Sequence, residues 1–181
     1  DVDPRTWCVT ADNIAKVITS KTKAVVPVHT YGNSCEMDKI IDLCSRKKIV
    51  VIEDTAESLG TRYKGQLTGT FGDINTFSFQ ATKTITTGEG GMAMTNSVEL
   101  SDTMKLLRSH GITRDASKMI GDSDGGWYYQ QVALGFNYRM TDIQAALGVS
   151  QLERVDASVI RRNEIACTYD KAILGTSITQ Q

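Results

Sequence analysis

Histidine and proline are scarce in this sequence, and its cysteines are not paired in any recognisable motif. Only two histidines, His29 and His110, occur in 181 residues, and they lie far apart. The four cysteines, Cys8, Cys35, Cys44 and Cys167, show no C-x-x-C spacing. A zinc site or a disulfide framework is therefore not expected, and the thiols read as free, in a cytoplasmic protein. No apolar run approaches the roughly 18 residues of a membrane span, and the opening DVDPRTW does not read as a signal peptide. Twenty basic residues stand against 21 acidic ones, a net charge of -1, so neither nucleic acid nor an anionic membrane is expected as partner. Two prolines leave no Pro-rich linker, and no internal repeat is visible. Neither G-x-G-x-x-G after a strand nor G-x-x-x-x-G-K-[ST] occurs.

What is present is a soluble, globular pattern, 40% apolar and 23% charged, long enough for one domain or slightly more. Thr10 can cap a helix through Asn13, Ile14, Val17 and Ile18. The apolar run Ala24 to Val28 reads as a buried strand, Met37 to Lys48 as a helix, and Ile49 to Ile52 as a second buried strand closed by Glu53 and Asp54. Continuous apolar strands separated by helices predict βαβ units with a parallel sheet. Seven of the 15 glycines then fall between Gly60 and Gly91. Asn75 to Phe79 and Gly91 to Thr95 read as strands, and Ser97 caps a helix to about Ser109, stopped by Gly111. Residues 113–129 read as a long loop or lid. Helices are predicted from Thr141 to about Val155 and from Ala157 to about Leu174.

Asp54 is the first chemical candidate, because ligands of open α/β sheets bind beyond the carboxyl ends of the strands. A turn or cap role is the alternative. Glu53 and Glu57 crowd it, so a cationic partner or one raised pKa is expected. Lys83 follows the strand by a few residues, in FSFQATKTITTGEGG. A partly desolvated lysine can form a Schiff base, and an ordinary solvated lysine is the alternative. Ser78 can offer a hydroxyl to a phosphate or simply bond a neighbour. Asn137 and Arg139, before the Thr141 helix, suit a phosphate or carboxylate, or could cap that helix and pair with Asp142.

In order, EDTAESLG, GTFGD, TFSFQATKTITTGEGG, LRSHG and GFNYRMTDIQAALGVSQL closely resemble the DegT/StrS-type nucleotide-sugar aminotransferases, from Asp1 to about Ala166. EDTAES and TITTGEGGM resemble the perosamine-synthase-like members. WYYQQVALGFNYR resembles the 4-aminotransferases of pseudaminic-acid biosynthesis. The resemblance implies the large domain of the aspartate-aminotransferase α/β fold (fold type I), with a mostly parallel sheet flanked by helices. It also implies pyridoxal 5′-phosphate (PLP) as cofactor, with L-glutamate and a nucleotide-sugar as substrates.

By motif, Lys83 corresponds to the Schiff-base lysine and Asp54 to the partner of the pyridine nitrogen. Glu57 stands where many members have Gln or His near the 3′-oxygen. Ser78 corresponds to a phosphate ligand and His29 to a histidine near the cofactor, a satisfied structural role being its alternative. Asn137 corresponds to a residue reaching the phosphate of a neighbouring subunit, which implies a homodimer or larger assembly. Tyr138 and Arg139 are placed near the nucleotide-sugar.

Members are about twice this long, so the resemblance implies a large domain truncated at both ends. Residues 1–156 would form its core, and 157–181 a helix leading toward a small domain. Two alternatives follow: a catalytically incomplete scaffold of the same fold, or a related sugar dehydratase. In the dehydratases histidine replaces the lysine.

Overall fold

Strand β2 is the organising element of the computed structural model, which describes residues 1–122 and 124–178. In chain order the elements are α1 (Ala11–Val17), β1 (Ala24–Val25), α2 (Met37–Lys47), β2 (Val50–Asp54), β3 (Arg62–Tyr63), β4 (Gln66–Leu67), β5 (Ile74–Ser78) and β6 (Gly91–Met94). They continue with α3 (Val98–Leu107), β7 (Ile112–Thr113), β8 (Gln130–Gln131), α4 (Asp142–Leu152) and α5 (Val155–Ile173). The chain divides into two units, residues 1–94 with 142–181, and residues 95–141. The expected boundary at residue 156 falls at the start of α5, inside the first unit. Residues 179–181, part of that expected C-terminal helix segment, lie outside the described residues.

In the first unit the sheet order is β1-β2-β5-β6. The β1-β2 and β2-β5 pairs are parallel, and β5-β6 is antiparallel. The expectation of an α/β fold with a mostly parallel sheet holds. The first strand is shorter than its apolar run suggests. Pro27 has no N–H to give to a ladder, so pairing beyond Val25 survives only as an isolated bridge between Val28 and Asp54.

The core lies between α1, α2 and the first two strands. Met37, Ile40 and Cys44 fall on one face of α2 and are buried with Ile14, Ile49 and Val51. Cys8 and Cys35 join this cluster, whereas Cys167 on α5 is exposed. Thr10 caps α1 by accepting the Asn13 N–H at 3.2 Å. Helix α2 ends at Lys48, which adopts a left-handed conformation and donates its N–H to the Cys44 and Ser45 carbonyls.

The second unit is α3 with the short antiparallel pair β7-β8. Ser97 Oγ accepts the Leu100 N–H and starts α3. The predicted loop of residues 113–129, whose residue 123 lies outside the described residues, holds a 3-10 turn at Ala116–Lys118. No helix among the described residues is long and apolar enough to cross a membrane.

Candidate functional site

The three crowded carboxylates of EDTAE are separated by the pleat of β2 and by the turn that follows. Glu53 is fully buried. His29 Nε2 lies 2.9 Å from its Oε1, which also accepts the Gly69 N–H. Its Oε2 accepts the N–H groups of Phe71 at 2.9 Å and Gly72 at 3.2 Å. Burial pushes the Glu53 pKa up, but these hydrogen bonds outweigh it and hold the carboxyl below its ordinary value. Crowding does not raise the pKa of Glu53 or Glu57, which are both held below their ordinary values, and each of the three carboxyls accepts hydrogen bonds from donors of its own.

His29 is the other half of this arrangement. Its Nδ1 accepts the Cys35 N–H at 3.1 Å, so the ring proton sits on Nε2 and is donated to Glu53. With no exposed surface and both nitrogens engaged, the ring cannot offer a polar contact to a cofactor. Of the two readings of His29, the geometry supports the satisfied structural one.

Asp54 points to the opposite face from Glu53, as neighbours on a strand must. It is half-buried at the carboxyl end of β2, and its Oδ1 accepts the Ala56 N–H at 3.0 Å. The turn role is thus real, and it fixes one oxygen while leaving Oδ2 without a hydrogen-bond partner among the described residues. Ser78 ends the adjacent parallel strand, and its Oγ accepts the Gln80 N–H at 3.4 Å. Register pairing of Asp54 with Thr76 sets Asp54 and Ser78 at the same end of the sheet.

Lys83 is not a solvated lysine. Its side chain is 23% exposed, and its Nζ lies 3.4 Å from Glu57 Oε1. The loop that carries it is pinned at both ends: Phe79 N–H donates to the Gly90 carbonyl and Thr87 N–H to the Phe79 carbonyl, each at 2.9 Å. Between them the Gln80 side chain accepts from the Thr82 N–H and hydroxyl. Glu57 Oε2 accepts the N–H of Tyr31 at 2.8 Å, and Tyr31 has a left-handed backbone, φ 53°. That backbone hydrogen bond, opposed by burial and assisted by Lys83, keeps the Glu57 carboxyl below its ordinary pKa.

Tyr31, Glu57, Thr82, Lys83, Thr84 and Arg162 line a cleft of about 220 Å³. A larger one of about 640 Å³ shares Tyr31, Glu57, Thr84 and Arg162 and extends to Arg62, Val159 and Asn163. Tyr31 and Arg162 were not legible as site residues. One is placed by a tight turn and the other by a distant helix, and neither carries a local motif.

Asn137, Tyr138 and Arg139 belong to the second unit, and all three are exposed. Asn137 bridges Ser109, and the Tyr138 N–H donates to the Arg108 carbonyl at 2.9 Å. The Tyr138 ring stacks on Phe136 with centroids 5.1 Å apart. This strip is thereby fastened to the end of α3.

Comparison with known proteins gives this arrangement a context. GDP-perosamine synthase of Caulobacter vibrioides is 43% identical over 182 residues, 99% of this chain and 46% of that protein. Helicobacter pylori PseC, an aminotransferase involved in the biosynthesis of pseudoaminic acid, is 33% identical with a TM-score of 0.87, over 95% of this chain and 44% of its own. A putative sugar aminotransferase of Streptococcus pneumoniae, solved in a PLP form, gives 31% and 0.85, over 97% of this chain and 47% of its own. A GDP-4-keto-6-deoxymannose-3-dehydratase with bound GDP-perosamine gives 28% and 0.90, over 100% and 49%. The chain spans about half the length of the relatives it matches. Both lines of resemblance read from the motifs, to perosamine synthases and to the pseudaminic-acid enzymes, are present among them. The family model matches residues 1–180, and on that evidence the chain belongs to the DegT/DnrJ/EryC1/StrS aminotransferase family.

Proposed function

We propose that this chain is the cofactor-bearing part of a PLP-dependent aminotransferase that passes an amino group from L-glutamate to a keto sugar on a nucleoside diphosphate, in amino-sugar biosynthesis in the cytoplasm. The observation that carries the reading is Lys83, held beside Glu57 in a cleft next to a sheet end that presents Asp54 and Ser78.

The donor set suits PLP. A primary amine is available to a carbonyl, a carboxylate oxygen without a partner suits a protonated ring nitrogen, and a hydroxyl suits a phosphate. When bound, PLP supplies an electron sink that makes an amino acid's α-proton removable. The chain's own residues would do the rest. The Asp54 Oδ2 would accept a hydrogen bond from the ring nitrogen and keep it protonated. Ser78 Oγ would donate to a phosphate oxygen. Lys83 Nζ would hold and move the proton, since its loop keeps it in place from both ends. Glu57, fixed by the Tyr31 N–H, would orient that amine. In a homodimer or larger assembly, Asn137 of one protomer would complete the phosphate site of its partner, with Tyr138 and Arg139 near the nucleotide-sugar.

The likeness to the dehydratase favours one competing reading, a deoxy sugar and ammonia as products. Lys83 argues against it, because the resembling dehydratases lack that lysine. The incomplete-scaffold reading predicts no cofactor binding at all.

Titration of the purified protein with PLP tests these readings together. The visible absorbance of a lysine-linked cofactor should develop in the wild type and be absent in Lys83→Ala. Incubation with L-glutamate and a nucleotide-linked keto sugar should yield 2-oxoglutarate and an amino sugar. A wild type without that absorbance, or Lys83→Ala retaining it, removes the aminotransferase assignment. Release of ammonia with a deoxy sugar replaces it by the dehydratase.

A further inference from the structure

We propose that Arg162 on α5 is the anion-binding, specificity-determining residue of the Lys83 cleft, taking an oxyanion of the substrate on its guanidinium; the inference rests on the aminotransferase reading above. Arg162 lines both compartments of the cleft, the one containing Lys83 and the larger one beyond it. Helix geometry explains why this exposed side chain borders the cleft. Val159, three residues earlier, sits so close to Gly60 that a Cβ there would lie 2.9 Å from Val159 Cγ2. Residues three apart share a helix face, so Arg162 shares the face that packs at Gly60.

Charge accounts for what it would bind. Lys83 and Glu57 offset each other at 3.4 Å. The neighbouring Arg161 is committed to Glu164 at 2.8 Å, whereas Arg162 has neither an ion pair nor a side-chain hydrogen bond among the described residues. Arg62 adds a second guanidinium to the larger compartment, and its Nη1 donates to the Gly65 carbonyl at 2.8 Å. The cleft therefore presents an uncompensated positive field, which concentrates anions. A planar guanidinium matches carboxylate and phosphate oxygens two at a time, which a lysine cannot do. The proposed reaction offers two such groups, a carboxylate of L-glutamate and the diphosphate of the nucleotide-sugar.

Calorimetric titration of the PLP-treated protein with L-glutamate, and separately with GDP and UDP, tests the proposal in wild type, Arg162→Gln and Arg162→Lys. PLP absorbance and melting temperature are read alongside. Arg162→Gln should weaken one class of anion by about tenfold or more, the loss of a charge-assisted hydrogen bond of roughly 1.5–3 kcal/mol, with spectrum and melting unchanged. Arg162→Lys should fall between. A loss confined to L-glutamate identifies the carboxylate, and one confined to the nucleotides identifies the diphosphate. Unchanged affinity for both classes, or a wild type that binds neither, overturns the role of Arg162. A wild type that takes no PLP yet binds GDP or UDP through Arg162 sinks the aminotransferase reading and leaves this inference standing.

Discussion

Glu57 divides its two oxygens between Tyr31 and Lys83. Oε2 accepts the N–H of the left-handed Tyr31 at 2.8 Å, and Oε1 lies 3.4 Å from Lys83 Nζ. A turn in the loop after β1 thus sets the direction from which a carboxylate addresses the lysine. Because these contacts favour the ionised form, Glu57 should titrate below its ordinary value of 4.5. The Tyr31 amide resonance should follow the same midpoint in a pH series of proton–nitrogen correlation spectra. In Glu57→Gln that acid transition should vanish. A Tyr31 amide insensitive to pH in the wild type would sink the proposed geometry.

Glu53 should contribute to acid stability. Its folded pKa is depressed, so between that value and the ordinary 4.5 the unfolded chain binds more protons, and stability rises with pH there. The stabilisation is complete above the unfolded value and is lost as pH falls through the folded one. As pH is lowered from 7 to 2, melting temperature should fall more steeply in the wild type than in Glu53→Gln. Glu53→Ala, which strands the His29 N–H and three backbone N–H groups, should cost about 3–5 kcal/mol in denaturant titrations at pH 7. A cost below about 1 kcal/mol would show that water reaches these donors.

Gly60→Ala should disturb both stability and the cleft. Gly60 has φ +91°, and an added Cβ meets Val159. The left-handed strain alone costs about 1–2 kcal/mol, and the Val159 side chain or the helix that carries it must shift to relieve the contact. The cleft affinity for the anions named above should weaken along with the denaturation midpoint. Stability lost with affinity intact would mean that α5 does not set the position of Arg162.

The two caps offer a probe of each unit. Thr10→Ala and Ser97→Ala should each cost about 1 kcal/mol, the first in residues 1–94 and 142–181, the second in residues 95–141. Amide hydrogen exchange should localise each loss to its own helix. Equal loosening of α1 and α3 by either substitution would contradict the division into units.

Elements whose signals are local were legible. The Thr10 and Ser97 caps and the helix from Met37 are short-range patterns, and the structure realises them. Strand β1 was read too long because apolar content does not reveal that Pro27 cannot donate. The hairpin of β3 and β4 was missed for a different reason. Its turn is Lys64-Gly65, both at positive φ, and Lys at that position lacks the Asn-Gly or Asp-Gly signature. At the candidate site, the positions of Lys83, Asp54 and Ser78 near strand ends could be read from the sequence. The partition of Glu53, Asp54 and Glu57 could not, because it depends on which loops, Gly69 to Gly72 and Thr30 to Gly32, bring N–H groups to each. His29 shows the same limit: its motif marks it as chemical, and its burial makes it architectural.

The cysteines give the protein a built-in gauge of its own integrity. Burial pushes the thiols of Cys44 and Cys35 up, the latter to about 12 with Cys8 as a contributing neighbour, so at neutral pH they are shielded and almost wholly protonated. Cys167 alone lies open on α5. A maleimide should therefore mark the native chain once, on the helix that carries Arg162. Added labels, counted by mass, should appear only as the core around α2 opens, so that one reagent reports both the cleft-bearing helix and the loss of the fold.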